Sequence, residues 1–284
     1  MSRVVAAIVF GAISAGFHRE PQQPVFAART SLVRVDVSVT ERGRPVKGLR
    51  PIDFEIRDNG VPQQVEFVLT ERMPLSVALV LDVSGSVAGD RLDHFRSAID
   101  GVLERLQKDD RVALVTFSHG ISIDHASPSD RGVLRARLSA TKGAGGTSLF
   151  DASYAGLTFA NRADERGLQV VFSDGLDTAS WLSPLRVLEI AKRTEVVTYV
   201  VSSQGSSQDR FLSDLVGLTG GAHLKVESTK ELESAFASIL EEFRHRYLLS
   251  YQPTGVAAGG WHRIAVNVRR PGVAVKARPG YLSQ

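Results

Sequence analysis

The hydrophobic rhythm of the chain changes twice. Between residues 31 and 70, Leu32, Val33, Val35, Val37 and Val39 are interleaved with Arg34, Asp36 and Ser38. Successive side chains of an extended chain point to opposite faces, so this alternation predicts a half-buried strand. Phe54 and Ile56 lead into Asp58-Asn59-Gly60, a hairpin signal, with Val65 and Phe67 expected on the return strand. The texture shifts at Pro74. Val77-Ala78-Leu79-Val80-Leu81 is an unbroken apolar run, the pattern of a strand buried on both faces. Over 90–107, Leu92, Phe95, Ile99, Val102, Leu103 and Leu106 recur at helical spacing. Further strands are predicted at 111–117, 168–173, 196–202 and 222–226. Helices are predicted at 130–140, 148–160, 184–194, 208–218 and 229–245. Ser183-Pro184 supplies a cap followed by proline at the first helical position. After residue 246 the strand rhythm returns, over 247–251, 263–268 and 273–277.

Strands separated by helices of this length need crossover connections, which predicts an α/β domain with a doubly wound, mostly parallel sheet over 74–245. The β-rich flanks, 31–73 and 246–284, are each too short to build a good core. The packing expectation is that they pair into one small β-domain with the α/β domain inserted between them.

Composition narrows the functional classes. The 284 residues are 43% hydrophobic and 23% charged, with a net charge of +3, and the cations are scattered. Nucleic acid is therefore not an expected partner. There is no cysteine, which excludes disulfides, cysteine-ligated zinc and a thiol nucleophile. Arg3 precedes the apolar stretch Val4 to Phe17, and a polar, proline-containing segment follows. This is too short for an ordinary membrane span and reads as a signal peptide over 1–28. The expectation is an exported protein, periplasmic, envelope-associated or secreted, whose mature chain has no stable membrane span.

Candidate chemistry clusters at strand ends. Asp82, Ser84 and Ser86 follow the first central strand with a spacing of two, so an extended segment would point them the same way. Gly85 lets the backbone bend. Gly145-Gly146-Thr147 ends a glycine-rich loop in a hydroxyl, and Ser173-Asp174-Gly175 lies just past the strand 168–173. In an open parallel sheet, ligands bind beyond the carboxyl ends of the strands. The five candidate ligands, Asp82, Ser84, Ser86, Thr147 and Asp174, offer only oxygen. A hard divalent cation is expected, Mg²⁺ first, with Mn²⁺ or Ca²⁺ as alternatives. Two carboxylates and three neutral hydroxyls leave such an ion able to attract one more anionic oxygen.

The order Asp-x-Ser-x-Ser, then a distant Thr, then a distant Asp, resembles the metal-ion-dependent adhesion site of von Willebrand factor A (VWA) and integrin inserted domains. The likeness covers about 170 residues. It implies that the hydroxyls contact the metal directly, that the carboxylates often act through water, and that a protein partner's Asp or Glu carboxylate completes the coordination. The flanking segments VDVSVTERGRPVKGL, DFEIRDNGVPQQV and YLLSYQP resemble a bacterial VWFA-related group described mainly from Acidobacteria.

Other chemistries fit less well. Lys142 precedes the glycines of Gly143 to Thr147, so a phosphate-binding P-loop is not matched. Asp82 as a phosphoryl-transfer nucleophile would want a second Asp where Ser84 stands. VSGSV lacks the nucleophile-elbow order. His94 is expected on a helix surface, and His119 and His125 in a solvated loop. Asp177 and Thr178 read as loop caps or as the rim of the metal site. Trp181 reads equally as an interface anchor or as core. The sequence thus predicts a metal-dependent protein-binding module without catalytic residues. The alternatives are a metal-dependent hydrolase or phosphatase, and a structural envelope protein whose metal stabilises the fold.

Overall fold

A computed structural model describes residues 32–69, 73–85, 90–126, 130–173, 176–203 and 210–283. The expected signal peptide, Ser86 and Asp174 lie outside the described residues. The chain opens with β1 (Val33–Glu41), β2 (Arg44–Pro45), β3 (Phe54–Asp58), β4 (Val61–Gln63) and β5 (Phe67–Leu69). The central part runs β6 (Leu75–Asp82), α1 (Asp90–Arg105), β7 (Arg111–Phe117), β8 (Ile121–Ala126), α2 (Arg131–Ala140) and α3 (Leu149–Ala160). It continues through β9 (Arg166–Phe172), α4 (Pro184–Ala191), β10 (Val197–Ser203), α5 (Arg210–Thr219), β11 (His223–Val226) and α6 (Leu232–Arg244). The described chain closes with β12 (Tyr247–Tyr251), β13 (Gly260–Val268), β14 (Ala274–Lys276) and β15 (Gly280–Ser283).

The central sheet has the order β11-β10-β9-β6-β7-β8 and is parallel except for β8. This is the α/β architecture expected from the sequence. In β6, Val77, Leu79 and Leu81 join the cluster built with Phe95, Leu134 and Phe236 of α1, α2 and α6. Ala78 and Val80 join the opposite cluster, with Leu149, Val187 and Leu215 of α3, α4 and α5. Burial on both faces is why that stretch is apolar without alternation.

Several elements depart from the sequence expectation. β8 was not predicted. It is an edge strand whose Ile121 and Ile123 are 37% and 50% exposed, so no burial pattern marks it. The return strand after Asp58 is β4, which pairs Asp58 with Val61, and it begins directly after a two-residue turn at Asn59 and Gly60. Both turn residues have positive φ, 48° and 85°. Such a tight turn restarts pairing at once, so Phe67 is free to join the other sheet, where β5 pairs with β12. α4 stops at Ala191 rather than near Thr194, and β15 lies beyond the last expected strand.

The flanking strands form two sheets, β14-β1-β12-β5 with β2 on β1, and β15-β13-β3-β4. Val35, Val37, Phe54, Ile56, Tyr247 and Leu249 fill the space between them. Asp58 is fully buried there. One of its oxygens accepts from His262 Nδ1 at 2.8 Å, and the other accepts from the Tyr251 and Tyr281 hydroxyls, each at 2.9 Å. Burial, reinforced by these bonds, raises both phenols above the usual tyrosine range.

This sandwich meets the amino ends of the central parallel strands. Arg166, the first residue of β9, pairs with Asp36 of β1 and stacks on Phe243 at 4.7 Å, all three being buried. Arg278 donates to the Thr194 and Lys192 carbonyls, just before β10, at 2.7 and 2.9 Å. Arg34 bridges Glu195 and the Ala163 carbonyl. A Cβ on Gly220 would collide with the Arg278 backbone, so only glycine allows this approach. With the amino edge covered, the carboxyl ends of β6, β7 and β9 are the edge left for loops and ligands.

Two outcomes follow. Asp36→Ala strands the buried Arg166 charge and is expected to lower unfolding stability in urea by about 3–5 kcal/mol, with Asp36→Leu/Arg166→Met recovering most of it. A loss below about 1 kcal/mol would show that the pair does not hold the junction. Raised folded phenol pKa values mean that the native state keeps protons which the unfolded state releases. Stability should therefore hold below pH about 10 and fall as pH rises beyond it. Tyr281→Phe should cost about 1–2 kcal/mol near neutral pH and make that alkaline fall shallower; an unchanged slope would contradict the account.

Candidate functional site

The chain leaves β6 for β7 on one side and reaches β9 on the other, so strand order reverses beside β6. The crevice at such a reversal opens beyond the strands' carboxyl ends. Asp82 is the last residue of β6, and it is fully buried. Leu81 lies in register with Phe172, which sets Asp82 beside Ser173. The Ser173 hydroxyl donates to Asp82 Oδ2 at 2.8 Å. The Ser84 backbone N–H donates to Oδ1 at 2.9 Å, which turns the chain immediately after the strand. A buried carboxylate oriented from both oxygens is a fixed point in the site.

The glycine loop is stitched to this turn. Ala144 N–H donates to the Val83 carbonyl at 3.1 Å, and Gly85 N–H to the Gly145 carbonyl at 3.4 Å. Gly145 has φ 81°, and a Cβ there would lie 2.6 Å from His119 Nδ1. Glycine is thus required twice over, by its backbone angle and by the imidazole resting on it. Ser148 N–H donates to the Ser118 carbonyl at 2.7 Å, tying the loop to the end of β7.

Thr147 is 7% exposed. Its N–H donates to Thr178 Oγ1 at 2.9 Å, and its carbonyl accepts from the Thr178 and Ala179 N–H groups at 2.8 and 3.1 Å. These bonds fix Thr147 at the carboxyl edge of the sheet. Asp177 accepts from Ser180 Oγ and from the Phe150 N–H at the start of α3. Asp177 and Thr178 therefore act as loop caps beside Thr147.

Of the five expected ligands, the structure brings Asp82, Ser84 and Thr147 to one edge of the sheet. Ser84 and Thr147 are buried, at 5% and 7% exposure. Ser86 and Asp174 lie outside the described residues. The donor set among the described residues is carboxylate and hydroxyl oxygen, which fits a hard cation and would not fit zinc or copper. No group of three or more His, Cys, Asp or Glu side chains suited to a metal occurs among the described residues.

Sequence reasoning missed one residue and the role of another. Ser173 was noted at the strand end, but that it orients Asp82 across the sheet follows only from strand register. Asp151, in the first turn of α3, accepts from the Trp181 and Leu182 N–H groups, each at 2.9 Å. That contact spans thirty residues, and no local motif marks it. His119, expected in a solvated loop, is exposed and also lies on the glycine loop. His94, expected on a helix surface, is half-buried and bonds to Thr229 at 2.6 Å. Trp181 is 96% exposed, which removes the core reading.

Comparison with known proteins agrees with this geometry. The von Willebrand factor type A domain model matches residues 76–238. An uncharacterized protein of Synechocystis is 31% identical over 103 residues, 36% of this chain and 24% of its own length. Human inter-alpha-trypsin inhibitor heavy chain H3 is 30% identical over 98 residues, 33% of this chain and 11% of its own. The chain thus matches only about a quarter or less of these relatives. Among solved structures, the von Willebrand factor type A protein from Catenulispora acidiphila aligns with a TM-score of 0.53 at 11% identity, over 90% of this chain and 75% of that one. Proximal thread matrix protein 1 from the mussel byssus aligns at 0.52 and 13%, over 73% of this chain and 50% of that one. With more than half of its length matched by the family model, and with the α/β sheet and strand-end loops described above, the chain belongs to the von Willebrand factor type A domain family.

Proposed function

We propose that this protein is a metal-dependent protein-binding module, adhesive or assembling, whose carboxyl-edge site captures an acidic side chain of its partner. The observation that carries the reading is the buried Asp82 carboxylate, oriented by Ser173 and by the Ser84 N–H, at the same sheet edge as the buried Ser84 and Thr147. Ser84, Ser86 and Thr147 would present hydroxyl oxygens to a divalent cation, with Asp82 and Asp174 supplying negative charge. When bound, the cation supplies an electropositive point that accepts one further carboxylate oxygen. The chain's own part is to hold the oxygens in place and to exclude water from beneath them. Ser173 keeps the Asp82 carboxylate turned toward the loop, and the Gly145–His119 contact keeps the second loop from drifting.

Binding is favoured over catalysis. Asp151 and Asp177, in the elements around Thr147, are both engaged with backbone N–H groups and are poorly placed as general bases. No helix among the described residues is long and apolar enough to cross a membrane. The apolar segment at residues 4–17 supports export to the periplasm, envelope or medium as part of the same reading.

Metal linkage provides the test. Mg²⁺ at a hundred times its dissociation constant should stabilise the fold by about 2.7 kcal/mol, a rise in melting temperature of about 5–10 °C. Ser84→Ala and Thr147→Ala should lose most of that rise while melting close to wild type in EDTA. Equal Mg²⁺ responses in wild type and both variants would mean that the ion, if bound, sits elsewhere.

A further inference from the structure

Two hairpin turns in the sandwich share one backbone shape and differ in one residue. At Asn59-Gly60 both φ angles are positive, 48° and 85°, and at Arg42-Gly43 they are 51° and 77°. Asn-Gly is the pair such turns favour, because asparagine tolerates the left-handed region. Arginine has no such tolerance, and among the described residues only Arg42 and Asn59 hold a positive φ without being glycine. Turn geometry therefore does not account for Arg42. Strain retained in a folded chain points to a use for the side chain held there.

The sequence scatters its cations, and folding gathers some of them around this turn. β1 and β2 place Arg44 opposite Glu41. The stretch that follows is bonded down by Tyr247, whose hydroxyl accepts from the Leu49 N–H at 3.1 Å and donates to the Val46 carbonyl at 2.7 Å. The Arg269 N–H donates to the Asp53 carbonyl at 2.8 Å, which brings the end of β13 alongside. Three carboxylates stand at this end of the sandwich, and each already has an arginine. Glu41 pairs with Arg270 at 2.8 Å, Asp53 with Arg50 at 3.7 Å and Glu55 with Arg269 at 2.8 Å. That leaves Arg42, Arg44 and Lys47, all exposed and without an ion pair among the described residues. This local surplus is as large as the net charge of +3 on the whole chain. Glu41, Arg42, Arg44, Pro45 and Val46 line a groove of about 570 Å³. Ile52, on the short turn Pro51–Asp53 beside these cations, is 64% exposed.

We propose that this end of the sandwich docks on an anionic phospholipid surface. Arg42, Arg44 and Lys47 meet the headgroups, and Ile52 reaches the boundary with the acyl chains. Uncommitted cations on a fixed backbone are drawn to a negative lipid surface, and an exposed apolar side chain among them gains by entering it. A purely polar polyanion offers nothing to Ile52. Residues 42–53 and 269–273 contain no aromatic ring to stack on a base, so nucleic acid is the poorer fit. The surface shares no residue with the strand-end site and stands apart from the metal-dependent reading.

The test is cosedimentation of the full chain with vesicles, in EDTA so that no bound cation bridges protein to lipid. One set is phosphatidylcholine with about 30% phosphatidylglycerol and the other phosphatidylcholine alone, each at about 0.05 M and about 0.5 M salt. The chain should bind the anionic vesicles at low salt and leave them at high salt. The apolar stretch at 4–17, if it contributes, acts on both vesicle types alike. Arg42→Gln/Arg44→Gln/Lys47→Gln should weaken partitioning by about a hundredfold, roughly fivefold per cation. Arg186→Gln/Arg193→Gln/Lys225→Gln removes the same charge from exposed positions elsewhere and should stay within about threefold of wild type. Ile52→Ser should weaken partitioning by at least about threefold while keeping the wild-type melting temperature. Equal binding to neutral and anionic vesicles, equal losses in the two triple variants, or no loss in Ile52→Ser overturns the proposal. So does a chain that binds a DNA duplex through Arg42, Arg44 and Lys47 and ignores the vesicles.

Discussion

Asp82 stands where β6 runs out, and its carboxylate must be oriented there without the help of a continuing strand. The neighbouring strand provides that help. Because β6 and β9 pair in parallel register, Ser173 arrives beside Asp82 and donates to one oxygen, while the chain's own turn at Ser84 donates to the other. Each further layer builds on this fixed point. The glycine loop bonds to Val83 and Gly85, Thr147 follows from the glycine loop, and the segment 176–182 is hung from Thr147 and Asp151. Loosening the first bond would let the whole edge shift, since no described residue ties Thr147 to Asp82 directly.

The opposite edge of the sheet explains why this one is available. The flanking strands pair with one another and press a β-sandwich against the amino ends of β9 and β10 through the buried Arg166 and Arg278. Buried arginines with carboxylate and carbonyl partners fix orientation more than they add stability. They hold the sandwich at one end of the sheet and leave the loop edge facing away from it. A binding module gains from that division, because its partner approaches a surface that no other part of the described chain covers.

Much of this was legible in the sequence, and the rest was hidden for identifiable reasons. The run Val77 to Leu81 announced a doubly covered strand, and Asp82 was placed rightly at its carboxyl end. β8 left no trace because an edge strand with solvent on its exposed positions carries no alternation. The return strand was misplaced because Asn59-Gly60 turns more tightly than the apolar pattern of Val65 and Phe67 suggested. The roles of Ser173 and Asp151 were invisible for a different cause: their partners lie across the sheet and thirty residues away, and only register and packing bring them together. Trp181 was ambiguous because a lone tryptophan near a loop has the same sequence signature buried or exposed.

The central claim is that the edge built on Asp82, Ser84 and Thr147 is a hard-cation site. Anomalous diffraction from crystals grown in Mn²⁺ tests it most directly, because the ion reports its own position. The account predicts one strong peak at this edge, within bonding reach of the Ser84 and Thr147 hydroxyls, at about the distance oxygen ligands keep from small divalent cations, roughly 2.0–2.3 Å. A peak bound elsewhere, with none at the Ser84 and Thr147 hydroxyls, would contradict it.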